Sequence, residues 1–464
     1  MKQFCGEDFL LESELAEKLY AKTKDMQILD YHCHLKPQEM LSNYKFRNLT
    51  DLWLTGDHYK WRQMRTCGVS EKYITGNADD YDKYIKFVES CEMMLGNPVS
   101  QWSQLELTKY FNIKKPLILK NAKEIWEQVN KQLDKMTCRS FLEMSNVYAV
   151  CTTDDPIDLL EEHTKLKDDW NKVKVIPNFR PDKIMKINAE GFNDYIKKLS
   201  KISDVNINNY ESLIEALYNR IDYFHTKGSR GADHAVDVVL YEPATRNELN
   251  EIITKRIKGK MLNDGEFAKF IGNILLDLAR KYHDLNWVMM VHLNCKRDAN
   301  KPMFSKLGPD TGFDCSGEQF VEKQLNDVLG TLKSEDKLPK MSLFSLNATN
   351  WMSIATIAGC YQENENGIKG KIQLGTAWWF ADTLTNNTKQ INDFAELQSL
   401  GVSLGMLTDS RSFSSFTRHD YYRRLLCNII ATWANRGLCV NDEEILVRNI
   451  KNIFFNNAKE FFGY

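Results

Sequence analysis

Short apolar runs that alternate with amphipathic helical segments are the feature that most restricts the fold of this chain. The runs lie at 147–153, 173–179, 287–293, 341–346, 371–375 and 403–408. They are apolar almost throughout, as parallel strands covered on both faces are. An opening strand at 26–34 and a weaker one at 229–239, fourth in order, bring the total to eight. Eight strands that alternate with helices predict an α/β fold of the (β/α)8, or TIM barrel, type.

The chain is longer than such a barrel needs. It has 464 residues, whereas about 250 suffice for the barrel itself. Residues 36–146 contain no convincing strand, and apolar side chains recur there at helical spacing, as Ile125 and Val129 do. We therefore expect an N-terminal helix and the first strand in 1–35, a helical insertion or lid in 36–146, and the remaining barrel in 147–464. A doubly wound open sheet is the alternative, but no GxGxxG or GxxxxGK turn follows a strand.

The balance of charge points to a small-molecule partner. The chain carries 61 Lys and Arg against 63 Asp and Glu, a net charge of −2. We expect no nucleic-acid or membrane partner, since both need clustered basic charge. The eleven cysteines form no CxxC pair, and the start of the chain has no secretory signal, which predicts a cytoplasmic protein. The sequence leaves open whether the chain forms a homo-oligomer.

Residues capable of chemistry follow nearly every predicted strand, at the carboxyl end where barrel enzymes place their active sites. In strand order they are His32 and His34; Thr153, Asp154 and Asp155; Arg180; Asp233 and His234; His292; Asn347; Trp378 and Trp379; and Asp409 and Arg411. Any one of them alone could be a loop cap or a satisfied core group. Their recurrence over eight strands predicts an active site at this end of the barrel.

A metal site is predicted within this set. His32 and His34 are two residues apart, so both imidazoles face the same side of a strand and can bind one ion. Asp409 and Arg411 have the same spacing. His32, His34 and Asp409 would hold one divalent ion and leave open positions for substrate or water. Zinc is the expected ion, although manganese, iron and cobalt accept the same ligands. His292 is either a further ligand or a hydrogen-bonding group.

Longer motifs carry a resemblance to a known family. They read DHYKWRQMRTCGV (57–69), TTDDP (152–156), PNFRPD (177–182), LGPDTGFD (307–314), WWFAD (378–382) and GMLTDSRSFSSFTRHDYYRR (405–424). Together with HCH and Asp409 they resemble the uronate (glucuronate) isomerase family of the amidohydrolase superfamily, over essentially the whole chain. The loops VHLNCKRDAN (291–300) and GSRGADHAVD (228–237) depart from the family pattern. The bridging lysine of the superfamily has no counterpart, which favours a mononuclear centre.

The resemblance implies an aldose–ketose isomerase of hexuronate catabolism. Such an enzyme interconverts D-glucuronate with D-fructuronate, and D-galacturonate with D-tagaturonate, by moving a proton from carbon 2 to carbon 1 through a cis-enediol. The metal would bind the substrate carboxylate and the adjacent hydroxyl, and Asp409 would help to deprotonate that hydroxyl. Tyr59, beside His58 in the catalytic set, would bond the oxygen on carbon 1 and shuttle protons.

The same resemblance implies roles for the remaining residues. Arg180 would lower the pKa of the Tyr59 phenol, and Arg411 would hold the hydroxyls on carbons 2 and 3. The substrate would also be bound by His292, Arg297, Trp378 and Trp379, although one of the two tryptophans could equally be core packing.

Two other functions are weighed against this one. A metal-dependent hydrolase of the same superfamily would use the metal but has no need of the Tyr59 and Arg180 pair. A noncatalytic sugar-acid binding protein has little use for a metal triad beside a tyrosine. Both alternatives are therefore less favoured than an isomerase.

Overall fold

A curled parallel sheet of seven strands organises the computed structural model, which describes residues 2–236, 239–317, 321–363 and 367–464. The strands of the described residues are β1 (Ile28–Asp30), β2 (Val147–Asp154), β3 (Lys174–Phe179), β4 (Gly231–Ala235), β5 (Val288–Leu293), β6 (Cys295–Lys296), β7 (Cys315–Ser316), β8 (Lys340–Ser345) and β9 (Ile372–Leu374). The parallel sheet has the order β1-β2-β3-β4-β5-β8-β9, and β6 and β7 form a separate antiparallel pair. Neighbouring strands therefore follow one another in chain order around the sheet.

Helices occupy most of the remaining chain. In the described residues they are α1 (Glu14–Thr23), α2 (Pro37–Leu41), α3 (Leu49–Leu54), α4 (His58–Thr66), α5 (Asp80–Met93), α6 (Pro98–Phe111), α7 (Leu119–Leu133), α8 (Cys138–Met144), α9 (Glu161–Asp169), α10 (Asp182–Met185), α11 (Phe192–Ser203), α12 (Tyr210–Thr226), α13 (Arg246–Ile257), α14 (Asp264–Asp284), α15 (Lys301–Leu307), α16 (Glu322–Ser334), α17 (Trp351–Cys360), α18 (Leu384–Leu397), α19 (Thr417–Asn435), α20 (Glu443–Lys451) and α21 (Asn457–Phe462). Short 3-10 helices lie at Glu71–Tyr73, Trp379–Ala381 and Leu400–Val402, and a π-helical turn at Asn452–Asn456 joins α20 to α21.

The stretch between β1 and β2 is helical, as its apolar spacing predicts, and it contains α2 to α8. Helix α7 buries Ile125 and Val129 on one face. Fully burying an aliphatic side chain of this size stabilises a fold by about 1.5–3 kcal/mol, so this face holds α7 against its neighbours. The stretch shares an apolar cluster with Phe416 and Tyr421 at the start of α19. None of the helices in the described ranges has the length and apolar character that a membrane crossing requires.

Helix α4 begins at a well-defined cap. The Asp57 carboxylate accepts hydrogen bonds from the backbone N–H groups of Tyr59 (3.0 Å) and Lys60 (3.2 Å), and it also pairs with the Lys60 ammonium at 2.8 Å. An aspartate at this position satisfies N–H groups that have no partner within the helix. The cap fixes the first turn of α4, which carries His58 and Tyr59.

The predicted eighth strand, at 403–408, is wrong, because the described residues there form no strand. Side chains take up its backbone N–H groups instead of a neighbouring strand. The Gln373 side-chain oxygen accepts from Leu404 N at 3.3 Å, and the Asp30 carboxylate accepts from Thr408 N at 2.8 Å. The segment nevertheless lies beside both ends of the sheet, since Asp30 belongs to β1 and Gln373 to β9.

Two backbone features shape the end of this segment. Gly405 has a φ of +68°, a left-handed conformation that breaks an extended run and that glycine adopts without a steric cost. Beyond it, the N–H of Asp409 donates to the His32 carbonyl (3.2 Å) and the N–H of His34 donates to the Ser410 carbonyl (2.9 Å). These bonds place Asp409 next to the two histidines.

The other strand predictions agree with the structure to within a few residues. The first strand is shorter than predicted, because β1 ends at Asp30, and His32 and His34 follow it in irregular backbone. The weak fourth strand is confirmed as β4, while residues 237 and 238 of its predicted range lie outside the described residues.

Candidate active site

A cavity of about 310 Å³ opens at the carboxyl ends of the strands. Its lining includes His32, His34, His58, Arg180, His292, Arg297, Trp378, Trp379, Asp409 and Arg411, together with Asp182, Lys186, Asp298, Pro309, Asp310 and Asp314. Every residue to which the sequence assigns a catalytic, substrate-binding or metal-binding role lines this cavity except Tyr59, which reaches it through Asp409. The structure therefore gathers residues that are nearly 380 positions apart in the chain.

The predicted metal ligands converge on one point. Nε2 of His32 and Nε2 of His34 each lie 3.1 Å from Oδ1 of Asp409. Ligand atoms about 2.0–2.2 Å from a tetrahedral zinc ion would lie about 3.3–3.6 Å apart, so a small outward movement of these atoms would admit an ion. His32 and Asp409 are almost fully buried. The three side chains fit a mononuclear divalent site.

The protonation of these groups also suits a metal. Burial lowers the pKa of His34 to about 4, which leaves its imidazole neutral at pH 7. Burial also lowers the pKa of His32, but Asp233 and Asp409 outweigh it and the net shift is upward. Burial alone would raise the pKa of Asp409; hydrogen bonds from both histidines hold it well below its usual value. Without an ion, a proton on His32 supplies the positive charge beside Asp409. A divalent ion would take the place of that proton.

A second His and Asp group adjoins the first. Nδ1 of His292 lies 2.6 Å from Oδ1 of Asp233, and Nδ1 of His32 lies 3.5 Å from Oδ2 of Asp233. Nε2 of His292 is buried without a hydrogen-bond partner. Arg180 pairs with the same Asp233 at 2.7 Å. Because Asp233 orients Nδ1 of His292, Nε2 remains for a ligand or a substrate oxygen, which leaves both predicted roles of His292 open.

Arg411 and His58 meet at the other side of the cavity. Nη1 of Arg411 contacts Nε2 of His58, and Nη2 of Arg411 lies 3.3 Å from the Asp310 carboxylate. Burial and the Arg411 guanidinium lower the pKa of His58 to about 4. His58 is therefore neutral at pH 7 and accepts a hydrogen bond from Arg411, which fixes the direction of that guanidinium.

The predicted partnership of Tyr59 with Arg180 is wrong. The Tyr59 hydroxyl donates to Oδ2 of Asp409 at 3.3 Å, but Arg180 is engaged by Asp182 and Asp233, each at 2.7 Å. Burial and the Asp409 charge raise the pKa of Tyr59 well above its usual value. Among the cations, Arg418 lowers the pKa of Tyr59 most. Its guanidinium lies 5.1 Å from the centre of the Tyr59 ring.

Arg418 and its partner Asp382 are site residues that the sequence reasoning missed. Arg418 donates from Nε to Oδ2 of Asp382 at 2.9 Å, and both side chains are almost fully buried. The pair supports the ring of Tyr59 on one side and that of Trp102 on another, at 5.1 and 4.5 Å from the guanidinium. Both residues stand within the long motifs at 378–382 and 405–424, which was the available signal.

This pair gives a stability prediction. Replacing Arg418 with methionine leaves Asp382 as a buried carboxylate without its cation, and we expect the free energy of unfolding in urea to fall by about 3–5 kcal/mol. Adding Asp382→Asn to Arg418→Met should recover most of this loss, since the uncompensated charge is removed. A loss of less than about 1 kcal/mol in the single variant, the range of exposed ion pairs, would contradict a buried supporting role.

Trp378 and Trp379 both line the cavity while also packing in the core. Each is at most 5% exposed, and each indole N–H is buried without a hydrogen-bond partner. The Arg297 guanidinium lies 5.4 Å from the centre of the Trp379 ring. Trp379 has a φ of +51°, a strained conformation for a bulky residue that is often found at functional sites. Both tryptophans thus pack in the core and face the cavity, and their predicted role as a wall for the sugar stays a prediction.

Some of the predicted strand-end residues do not reach the cavity. At the end of β2, the Thr153 hydroxyl donates to the Cys33 carbonyl, and just beyond the strand Asp155 accepts from the Tyr195 hydroxyl. Asn347 likewise bonds within its own loop. Successive side chains point to opposite sides of a strand, so about half of such residues face the surrounding helices rather than the site.

The metal site gives a second prediction. At a free ion concentration of about one hundred times Kd, binding adds about 2.7 kcal/mol to the free energy of unfolding, so the melting temperature should fall on chelation and recover with added zinc or manganese. Calorimetry would measure this gain. We expect His34→Ala to abolish it and His283→Ala, at a histidine with 35% of its side chain exposed, to keep it. An undiminished gain in His34→Ala would contradict the ligand assignment.

Known proteins share both the sequence and this arrangement. The glucuronate isomerase family model matches residues 1–462. The uronate isomerase of Clostridium acetobutylicum is 48% identical over 465 residues, covering 100% of this chain and 99% of that protein. That of Caldicellulosiruptor saccharolyticus is 45% identical over 466 residues and covers both chains fully. The crystal structure of uronate isomerase from Thermotoga maritima has a TM-score of 0.94 at 30% identity, over 99% of this chain and 100% of that one. The chain therefore belongs to the glucuronate isomerase family and is an isomerase.

Proposed function

We propose that the enzyme interconverts D-glucuronate with D-fructuronate, and D-galacturonate with D-tagaturonate, through a cis-enediol. The position of Asp409 carries this proposal. Its Oδ1 lies 3.1 Å from both ligand histidines, while its Oδ2 accepts a hydrogen bond from Tyr59. One carboxylate thus joins a metal triad to a phenol that can move a proton.

The residues His32, His34 and Asp409 would hold a divalent ion, and zinc is our proposal for it. Such an ion, when bound, supplies a Lewis acid that anchors the substrate carboxylate and its neighbouring hydroxyl. Arg297 can assist in that anchoring, since it lines the cavity with its guanidinium over the Trp379 ring. Anchoring the end of the sugar remote from the reacting carbons places carbons 1 and 2 near the tyrosine.

Proton movement falls to Asp409 and Tyr59. Because the Tyr59 hydroxyl donates to Asp409, it carries its proton in the resting enzyme. We propose that Asp409 accepts the proton of the hydroxyl next to the substrate carboxylate, and that the oxygen left behind removes the proton from carbon 2 while Tyr59 donates its own proton to the oxygen on carbon 1, which gives the cis-enediol. Tyr59 then takes the proton from the oxygen on carbon 2, the same substrate hydroxyl delivers its proton to carbon 1, and Asp409 returns the proton it held. The net result is that carbon 2 loses a proton and carbon 1 gains one.

Arg411 and the tryptophans would hold the reacting part of the sugar. Arg411, oriented by neutral His58, can donate to the hydroxyls on carbons 2 and 3 and stabilise charge that develops on the enediol. Trp378 and Trp379 offer ring faces for the C–H surface of the sugar and two free indole N–H donors. His292 would donate or accept at Nε2 from the opposite side.

We further propose that the fold is a closed barrel, in which the segment 403–410 completes the ring of seven strands without being a strand itself, with residues 36–146 as a helical subdomain inserted over its mouth. The bonds from Asp409 N to His32 O and from His34 N to Ser410 O support closure of the sheet by the segment 403–410. The cap at Asp57 supports a role for the insertion in catalysis, because α4 delivers His58 and Tyr59 to the cavity. A metal-dependent hydrolase is not favoured, since it has no use for Tyr59.

Substrate comparison tests this function. Purified enzyme with added zinc or manganese would be given D-glucuronate, D-galacturonate and D-glucose, and the ketose products measured by chromatography. We expect turnover of one or both uronates and at least about a thousandfold lower kcat/KM for glucose, because the anchored carboxylate is absent and such contacts are worth about 4 kcal/mol in the transition state. Equal rates with glucose would contradict the carboxylate anchor.

A further inference from the structure

We propose that the protein binds a small amphipathic anion in a second cavity, between helix α9 and the amino end of β3. This cavity, which we call the α9 cavity, has a volume of about 500 Å³. Its wall includes Leu166 and Trp170 from the end of α9 and Val173 and Ile176 from the start of β3, all of them apolar. A cavity of this size and lining is of the kind that takes small organic ligands.

Among the residues that the structure describes, four cations and no acidic side chain line the same cavity. They are Lys167, Lys174, Lys227 and Arg230. None of the four forms an ion pair with a carboxylate among the described residues. Apolar walls combined with unpaired positive charge match a ligand with an apolar body and one carboxylate, sulfonate or phosphate group.

The groups that these cations contact are neutral. The Lys174 ammonium donates to the Tyr148 hydroxyl, and the Lys227 ammonium donates to the Thr164 hydroxyl at 3.0 Å. Arg230 donates to main-chain carbonyl groups. Since a hydroxyl or a carbonyl does not neutralise a cation, the positive charge at the cavity remains available to an anion.

Two acidic residues close to the cavity are engaged by other cations. Glu143 pairs with Lys172 at 2.8 Å and also accepts from the indole N–H of Trp170. Asp169 pairs with Arg139 at 2.5 Å. These ion pairs neutralise Glu143 and Asp169, so the four cations that line the cavity favour a negatively charged ligand.

A buried polar atom without a partner also belongs to this cavity. His163 lines it, and Nε2 of that ring lies 2.8 Å from the Thr152 hydroxyl, while Nδ1 is buried without a hydrogen-bond partner. Buried polar atoms are rarely left unpaired in native proteins. Asp154 lies behind the ring, and burial raises the pKa of its carboxyl to about 8, so it adds little negative charge at pH 7. A polar ligand atom would satisfy His163.

The α9 cavity is separate from the catalytic one. Lys174 and Ile176 line it at the amino end of β3, whereas Arg180, just beyond the carboxyl end of the same strand, lines the catalytic cavity. Six residues of strand span about 20 Å. A substrate bound near Arg180 therefore leaves the α9 cavity empty, and this inference is independent of the proposed reaction.

The probe is 8-anilinonaphthalene-1-sulfonate, an amphipathic anion with an apolar body and one sulfonate. The test follows its fluorescence as it is titrated against the full-length protein. We expect saturable binding that the triple variant Lys167→Gln, Lys174→Gln and Lys227→Gln weakens by about tenfold, since three exposed charge contacts of about 0.5 kcal/mol are lost. A matched control removes three exposed paired lysines that do not line the cavity, by Lys165→Gln, Lys197→Gln and Lys323→Gln. It should bind the probe as the wild type does.

Displacement experiments, a single variant and the dependence on protein concentration make the result decisive. Decanoate should displace the probe at least about tenfold better than decanol, which lacks the charge, and saturating glucuronate should not displace it. If the triple variant does not fold, Lys167→Gln alone should weaken binding about twofold relative to Lys165→Gln. Equal affinity in the variants and their controls, displacement by glucuronate, or loss of binding as a second copy of the chain associates at higher protein concentration would each overturn the proposal.

Discussion

Replacing Asp409 with asparagine is expected to lower kcat/KM for glucuronate by at least about a hundredfold, the scale of a lost catalytic acid or base. The substitution keeps the size of the side chain but removes its charge and its capacity to accept a proton. The contacts affected are those with His32 and His34 at 3.1 Å and with the Tyr59 hydroxyl at 3.3 Å. The measurement is ketose formation under initial-rate conditions over a range of metal concentrations.

Metal saturation separates two origins of the loss. If Asp409→Asn only weakens metal binding, excess zinc or manganese restores its rate, whereas a lost proton acceptor is not restored. The matched control is Asp327→Asn, at an aspartate with 40% of its side chain exposed and paired with Lys323, which should leave the rate unchanged. Near-normal turnover of Asp409→Asn would contradict its assigned role.

Replacing Tyr59 with phenylalanine is expected to lower kcat by about 10²–10⁴-fold and to change KM by no more than about threefold. The ring would still pack against His58, whose ring centre lies 5.0 Å away, and over Arg418. Only the hydroxyl and its hydrogen bond to Asp409 are lost. Because that hydroxyl acts in proton transfer and not in binding, the effect should fall on kcat.

The control for this change is Tyr361→Phe, which removes a hydroxyl that donates to the Asn326 carbonyl far from the cavity. It should cost at most about 1.5 kcal/mol of stability, the net worth of one hydrogen bond, and no activity. Urea unfolding of Tyr59→Phe should show a similarly small loss. A fall in kcat of less than tenfold for Tyr59→Phe would rule out a proton shuttle at this position.

The strand pattern and the pairing of His32 with His34 could be predicted from the sequence because both depend on short-range geometry. Runs such as 147–153 are apolar on both faces, which is typical of buried parallel strands, and β2 lies there. The spacing of His32 and His34 places two imidazoles on one side of an extended chain regardless of what surrounds it. Asp409 could be added because the last strand predicted for a barrel lies beside the first.

The partner of Tyr59 could not be predicted in the same way. Arg180 and Arg418 both lie within motifs of the family, and nothing in their spacing shows which guanidinium reaches the phenol. That choice depends on side-chain packing: Asp233 and Asp182 hold Arg180, while Asp382 directs Arg418 beneath the ring. Ion-pair partners far apart in the chain are set by tertiary structure, which local patterns do not encode.

The segment 403–408 was misread for a related reason. Its apolar pattern is that of a buried strand, but periodicity does not show whether the backbone N–H groups bond to a neighbouring strand or to side chains. Here Asp30 and Gln373 accept them, and Gly405 turns the chain out of the extended conformation. A buried polar side chain on the neighbouring strand can thus accept the hydrogen bonds that another strand would accept in a sheet. The segment then stays buried without being a strand.

The most direct test of the central claim is the isomerisation followed by NMR in heavy water. The enzyme would be incubated with D-glucuronate and, separately, with D-galacturonate, with and without added zinc or manganese. We expect the corresponding ketose to form, with deuterium appearing at carbon 1 as the transferred proton exchanges with solvent through the enediol. Absence of ketose from both sugars under all of these conditions would contradict the proposed function.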